Sequence, residues 1–210
     1  MSGVFRNQQD WGWLCSEFFP ILHERIGKNS PEMVARYLGR TYAVDGLTDM
    51  SAYTAVHPQG VIMPIRAAAT ADLDDLAPLF AAYLAFYDVD KNIAEVRAFL
   101  AARLERGDSA LFIAHDQRGG ALGFVQLYPL FASLALRPNL LLSDLYVTEC
   151  ARRQGVGEQL LEAARQHALD VGACGLQLET AKTNLAAQSL YERLGYVRDA
   201  VYLTYWLDLT

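Results

Sequence analysis

Cysteine is scarce and badly placed for pairing: only Cys15, Cys150 and Cys174 occur in 210 residues. They form no CxxC pair and no metal-ligand spacing with His23, His57, His115 or His167, which argues against a disulfide framework, a zinc module or any bound metal. Such thiols are expected to be free, as in a reducing cytoplasm. No apolar run approaches the roughly 20 residues that span a bilayer, so no membrane partner is expected. The N-terminus is interrupted by polar and acidic residues and has no small-residue cleavage site after an apolar stretch, so no signal peptide is expected either. Positive charge is in short supply: 18 Lys and Arg against 24 Asp and Glu give a formal net charge of −6. Nucleic acid wants a basic face and is therefore not an expected partner; a cationic substrate suits the chain better.

What is present is apolar residues, at 52%, against 20% charged. That is enough to bury a core as one domain, or as one domain with an appendage. Residues 1–61 differ from 62–210 and read as an N-terminal extension of unknown role. Trp11–Ile26 has the composition of a short helix broken at Pro20, and Pro31–Leu38 that of another, with Pro31 in the first turn. Neither carries chemistry. Trp11, Trp13, Phe18 and Phe19 are candidates for packing on the main domain or a partner. The working domain is expected to begin near Met63, where a strand-like Met63-Pro64-Ile65-Arg66 opens the regular pattern.

From there a strand is expected at Val61–Ala67, then a helix capped by Thr70 and running to Tyr87, with Leu73, Leu76, Leu79 and Phe80 on one face. A second helix is expected at Ile93–Arg106. Strands Ala110–His115 and Ala121–Tyr128 flank a hairpin turn at Asp116–Gly120. After a longer connection come a strand at Leu140–Val147, a helix at Gly155–Val171, a strand at Gly175–Thr180 and a helix at Asn184–Leu194. Strands at Tyr196–Asp199 and Tyr202–Leu209 end the chain. This order predicts a mixed α/β sheet rather than repeated βαβ units.

One stretch points to chemistry. The strand ending at Val147 runs through Glu149 into Arg152-Arg153-Gln154-Gly155-Val156-Gly157, which opens a helix. The first amides of a helix lack internal partners and carry partial positive charge, so such an end binds phosphate. Glycine lets the backbone approach a pyrophosphate, and Arg152 and Arg153 add full charge. The P-loop pattern is not met, nor is the three-glycine dinucleotide fingerprint. A strand-to-helix turn whose glycines merely cap it remains an alternative on this stretch alone. The second stretch has Asn184, Ala187, Tyr191, Gly195 and Tyr196. Asn184 and Tyr191 are seven residues apart, about two helical turns, and so share a face.

Together the two stretches resemble the GNAT superfamily of N-acetyltransferases. Its signature is Arg/Gln-x-x-Gly-x-Gly/Ala after a central strand, followed by an Asn…Ala…Tyr…Gly-aromatic helix. Arg152, Gly155 and Gly157 fill the first motif, and Asn184, Ala187, Tyr191, Gly195 and Tyr196 the second. The region Ala121–Val147 looks most similar to the diamine acetyltransferase branch. Ser143, however, stands where that branch usually has Glu, and Glu149 where many members have Pro.

The resemblance implies a mostly antiparallel central sheet flanked by helices and splayed at its central strands. It implies acetyl-CoA as co-substrate, held by the backbone of Leu145, Tyr146 and Val147 and by Arg152, Arg153, Gln154, Gly155, Val156, Gly157, Asn184 and Tyr191. It implies an N-acetyltransferase whose amine acceptor attacks directly, with Tyr191 as general acid. Cys150 is therefore not expected to act as a nucleophile. Asp144 and Glu179, at the ends of neighbouring strands, are the candidate bases. Tyr83, Tyr87, Tyr128, Ser143, Asp144 and Phe131 are candidates for the acceptor pocket. The expected acceptor is a small-molecule primary amine; a protein N-terminus or lysine is the alternative within enzymes, and a CoA-binding regulatory module without turnover the alternative outside them. A homodimer is left open.

Overall fold

The structure is a computed structural model that describes residues 53–56 and 62–209. The expected helices at Trp11–Ile26 and Pro31–Leu38, and Cys15, lie outside the described residues. The chain divides into two compact units, Asp49–Leu194 and a second formed by Met1–Thr48 with Gly195–Thr210.

The larger unit holds a sheet of six strands in sequence order: β1 (Tyr53–Val56), β2 (Ile62–Ala67), β3 (Ala110–His115), β4 (Ala121–Ala132), β5 (Arg137–Val147) and β6 (Leu176–Leu178). Every neighbouring pair is antiparallel except β5 with β6. The helices are α1 (Leu73–Phe86), α2 (Ile93–Arg106), α3 (Val156–Asp170) and α4 (Leu185–Arg193). One face of the sheet packs against α1 and α2 through Leu73, Leu76, Phe80, Val96, Leu100, Leu111, Ile113 and Phe124. Phe112, the alternate residue of β3, meets His167 of α3 on the other face. The apolar stripe expected of α3, Val156, Leu160, Leu161, Ala164 and Ala168, is buried throughout.

Local chemistry sets most boundaries. Asn92 accepts from the Ala94 amide to start α2, and Gly107 ends it in a left-handed conformation, φ +61°. Asp116 accepts from the amides of Arg118 and Gly120 and so shapes the β3–β4 hairpin. Thr70 is not the cap of α1. It lies in a 3-10 turn, Thr70–Asp72, before the helix. Asp72 is the N-cap residue, without a side-chain cap bond; its carboxylate accepts from the Ala69 amide and pairs with both terminal nitrogens of Arg66 at 2.7 and 2.6 Å.

Three expectations need correction. β1 was not foreseen; its four residues pair with Ile62–Ile65, so the sheet begins inside the segment read as an extension. The connection before residue 140 is a long hairpin, in which β4 and β5 stay paired out to Ala132 and Arg137. Pro129 and Pro138 sit where β3 and β6 no longer flank the pair. A missing amide costs no ladder bond on an open edge. Finally, Tyr196–Asp199 and Tyr202–Leu209 are not strands. Among the described residues neither segment is part of a strand ladder. Asp199 instead accepts from the amides of Val201 and Tyr202 in a turn.

Candidate active site

The parallel pairing of β5 with β6 covers only Leu140–Leu142 against Leu176–Leu178. Beyond it, β5 runs on to Val147 with no ladder partner on that side among the described residues, so the sheet is splayed at these strands. The backbone of Leu145, Tyr146 and Val147 is thus presented along an open edge. A 3-10 turn, Glu149–Ala151, then leads to the α3 N-terminus. Gly155 is its N-cap at φ +83°, with no side chain capping the first amides. Arg153 also has positive φ, +61°. Left-handed residues in such a turn curl backbone N–H groups toward one concave side, the arrangement that binds phosphates. Arg153 and Gln154 are exposed, Val156 is buried beneath them, and Gly157 sits against Leu190 and Val147. An open strand edge running into an uncapped helix start fits the pantetheine arm and pyrophosphate of acetyl-CoA.

Arg152 is placed differently from expectation. Its Nε donates to the Val147 carbonyl at 3.2 Å, and its guanidinium lies 5.9 Å from the ring centroids of both Phe86 and Tyr146. It ties the loop before α3 to α1 and to the end of β5. Asn184 caps α4, accepting from the Ala187 amide at 3.3 Å. Gln154 donates to the Cys150 carbonyl, and Cys150 is an exposed free thiol.

On the α1 side of the sheet the structure assembles a polar cluster. Its origin is a bulge in β5. In an unbroken strand, residues 142 and 144 would share a face. Here Leu142 pairs with Leu127 while Asp144 pairs with Gln126, so Ser143 is an extra residue. Leu127 and Gln126 point to opposite faces of β4. The bulge therefore swings Asp144 away from α3 and onto the face that carries Phe124, Gln126 and Tyr128. Asp144 is buried there, 9% exposed. Burial pushes its carboxyl above the ordinary range, and hydrogen bonds from Tyr83 and Ser143 only partly offset this.

Tyr83 and Tyr128 stand next to Asp144, and Tyr87 and Tyr191 stand next to Tyr83. Tyr83 of α1 donates to Asp144, and burial together with the Asp144 charge drives its phenol far up. Tyr87 packs on Tyr83 edge to face at 5.3 Å. The Tyr128 phenol is pushed up to about 12, by burial first and the Asp144 charge second. Tyr191 of α4 is 9% exposed and likewise pushed up to about 12, by burial first and Tyr87 second. Tyr83, Tyr128 and Tyr191 are thus neutral donors at working pH.

Of the expected pocket residues, Tyr83, Tyr87, Tyr128, Ser143 and Asp144 are brought together, with Tyr191 beside them. Phe131 is not; it stands 83% exposed near the tip of the β4–β5 hairpin. Glu179 is exposed, one residue beyond β6. Gln126 was overlooked. Its signal was a polar residue inside the otherwise apolar run Phe124–Leu127.

Residues 76–196 match the model of the acetyltransferase (GNAT) family. The chain belongs to the GNAT family of acetyltransferases. It is similar to an uncharacterized N-acetyltransferase, YhfO, of Bacillus subtilis (strain 168), 42% identical over 70% of this chain and 98% of that one. The crystal structure of a probable acetyltransferase, 39% identical, superposes with a TM-score of 0.66 over 70% of this chain and 97% of the other. An aminoglycoside N(6')-acetyltransferase type 1 of Klebsiella aerogenes is 34% identical over 51% of this chain and 71% of its own length. This GNAT protein is accordingly an acetyl-CoA-dependent N-acetyltransferase. Among the described residues no helix is long and apolar enough to cross a membrane, and no group of three metal-binding side chains occurs.

Proposed function

We propose that this enzyme acetylates a primary amine of a small molecule, with Asp144 as the base and Tyr191 as the hydrogen-bond donor to the leaving sulfur. The observation that carries the reading is the buried Asp144 carboxylate inside a wall of tyrosines, beside the open edge of β5. A cationic ammonium group gains from both features: the carboxylate pairs with its charge and the ring faces attract it. The aminoglycoside specificity in the name of the Klebsiella relative supports a small-molecule amine. It gives no reason to narrow the acceptor to a diamine.

The labour divides among the chain's own groups. Acetyl-CoA supplies the activated acyl group. The α3 N-terminus, the loop residues Arg153–Gly157 and the Leu145–Val147 edge hold it; Arg152 fixes the loop against Phe86 and Tyr146. Asp144 removes the ammonium proton, and its burial raises its basicity toward the operating pH. Tyr191, protonated throughout, donates to the departing thiol sulfur. Full transfer from a phenol near 12 to a free thiolate, whose acid has a pKa of about 8.5, would be uphill by about 5 kcal/mol. The Tyr191 contribution is therefore a strong donated hydrogen bond as the sulfur leaves. Glu179 is the second candidate base, and its exposure makes it the weaker one.

Tyr191→Phe is expected to lower turnover about 10²-fold with acetyl-CoA affinity little changed. Wild-type turnover, measured where chemistry limits the rate, would remove Tyr191 from this role. The acceptor class is tested by thiol release from acetyl-CoA across a panel of aminoglycosides, diamines, amino acids and lysine peptides. Turnover confined to the peptides would overturn the small-molecule reading.

A further inference from the structure

Gln126 is a buried side chain that neither motif nor the proposed chemistry uses. It lies in the middle of β4 with no exposed surface. Its Nε2 donates to Ser109 Oγ at 2.9 Å. Its Oε1 is fully buried and meets no donor among the described residues. An unpaired buried carbonyl oxygen is costly, and one retained in a site calls for an explanation. Directly across the ladder stands Asp144. Cross-strand partners share a face, with β-carbons about 4.5–5.5 Å apart. The acceptor without a donor therefore sits beside the carboxylate that must take up a proton.

The other groups around Asp144 are accounted for. Tyr83 comes from α1 and donates to it, with Tyr87 and Tyr191 flanking Tyr83. Tyr128 comes from β4, and Arg103 and Asp108 act on Tyr128 from the end of α2. Ser143 donates from within the bulge. These neighbours supply donors, which favour the ionised carboxylate. An amide carbonyl is the complementary partner for the neutral acid.

We propose that Gln126 is a positioning residue for the base: its Oε1 receives the O–H of the neutral Asp144 carboxyl, and Ser109 fixes the amide so that oxygen rather than nitrogen faces the acid. The proton moves from the ammonium nitrogen to an Asp144 oxygen, the N–H bond breaks as the O–H bond forms, and Gln126 accepts a hydrogen bond without changing its own protonation. The inference rests on Asp144 being the base. A hydrogen bond made only to the neutral form raises the pKa of the acid, so Gln126 would hold Asp144 nearer to the operating pH.

The test is a carbon-13 NMR titration of the Asp144 carboxyl in the free enzyme, assigned by its loss in Asp144→Asn. Wild type is compared with Gln126→Met, which removes the acceptor at similar volume, and with Ser109→Ala, which frees the amide to turn its NH₂ toward the carboxylate. The Asp144 pKa is expected to fall by about one unit in Gln126→Met, a tenfold change in ionisation, and to fall in Ser109→Ala. The acidic limb of kcat/KM should move down with it. An unchanged value in both variants overturns the proposal, and so does a rise in Gln126→Met, which would mean that the NH₂ already faces the carboxylate. Should Gln126→Met not fold, Ser109→Ala decides alone. Full activity in Asp144→Asn would instead remove the base assignment, while the titration would still judge the pairing of Gln126 with Asp144.

Discussion

Asp144→Asn is expected to lower kcat/KM for the amine about 10³-fold while leaving the fold and acetyl-CoA binding in place. General base removal typically costs about 10²–10⁴-fold, and the burial of Asp144 leaves no room for solvent to substitute fully. The carboxyl is raised above its ordinary range, chiefly by burial, and that fixes two further signs. The base must be ionised to work, so activity falls as pH drops through the raised value, and this acidic limb should lie above the usual carboxylate range. Stability runs the other way. A carboxyl whose folded pKa exceeds its unfolded pKa contributes stability fully below the unfolded value, and that contribution is lost as pH rises through the folded one. Near neutral pH the buried charge is therefore a burden, and Asp144→Asn should melt at or above wild type. A dead variant with an unchanged or raised Tm separates loss of chemistry from loss of fold. A variant that keeps wild-type kcat/KM and its acidic limb shows that another group is the base.

The parts of this molecule that could be read in the sequence are those fixed by short-range chemistry. The limits of α2 follow from Asn92 and Gly107, the β3–β4 turn from Asp116, and the buried stripes of α1 and α3 from helical spacing. The loop before α3 was legible because a glycine at a helix start beside two arginines has few uses. What was missed depends on partners distant in sequence. β1 is only four residues long, too short for its alternation to announce it. The far half of the β4–β5 hairpin was missed because a sequence does not show how far two strands stay paired beyond their neighbours. Tyr202–Leu209 has the composition of a strand but is not one in the structure. The bulge at Ser143 had no local mark, yet it decides which face Asp144 occupies. Listing Asp144 and Tyr83 as candidates was within reach of the sequence; their direct bond was not. Gln126 was visible as a polar residue in an apolar strand, but its unpaired oxygen exists only once β4 meets β5.

Gly155→Val is expected to abolish acetyl-CoA binding, with calorimetric affinity lost by about 10²-fold or more. Two effects add. The first is steric: a branched side chain at the helix start stands where a pyrophosphate must approach the amides. The second is conformational: Gly155 adopts φ +83°, a region in which a β-branched residue is a genuine outlier. Valine would resist the left-handed turn and pull the first amides of α3 out of their concave array. Because Val156, Leu160 and Leu161 bury the helix firmly, the remainder of α3 should persist and the loss should be local. Gly155→Asn separates the two causes. Asparagine tolerates left-handed backbone better than other side chains, so this variant should keep the turn and the wild-type melting behaviour while still placing a side chain in the approach. Loss of affinity in both variants assigns the loop to the phosphates by steric access. Loss in Gly155→Val alone would make backbone shape the deciding factor. Unchanged affinity in both would remove the Arg153–Gly157 loop from the acetyl-CoA site, leaving the open edge of β5 as the only part of that assignment still standing.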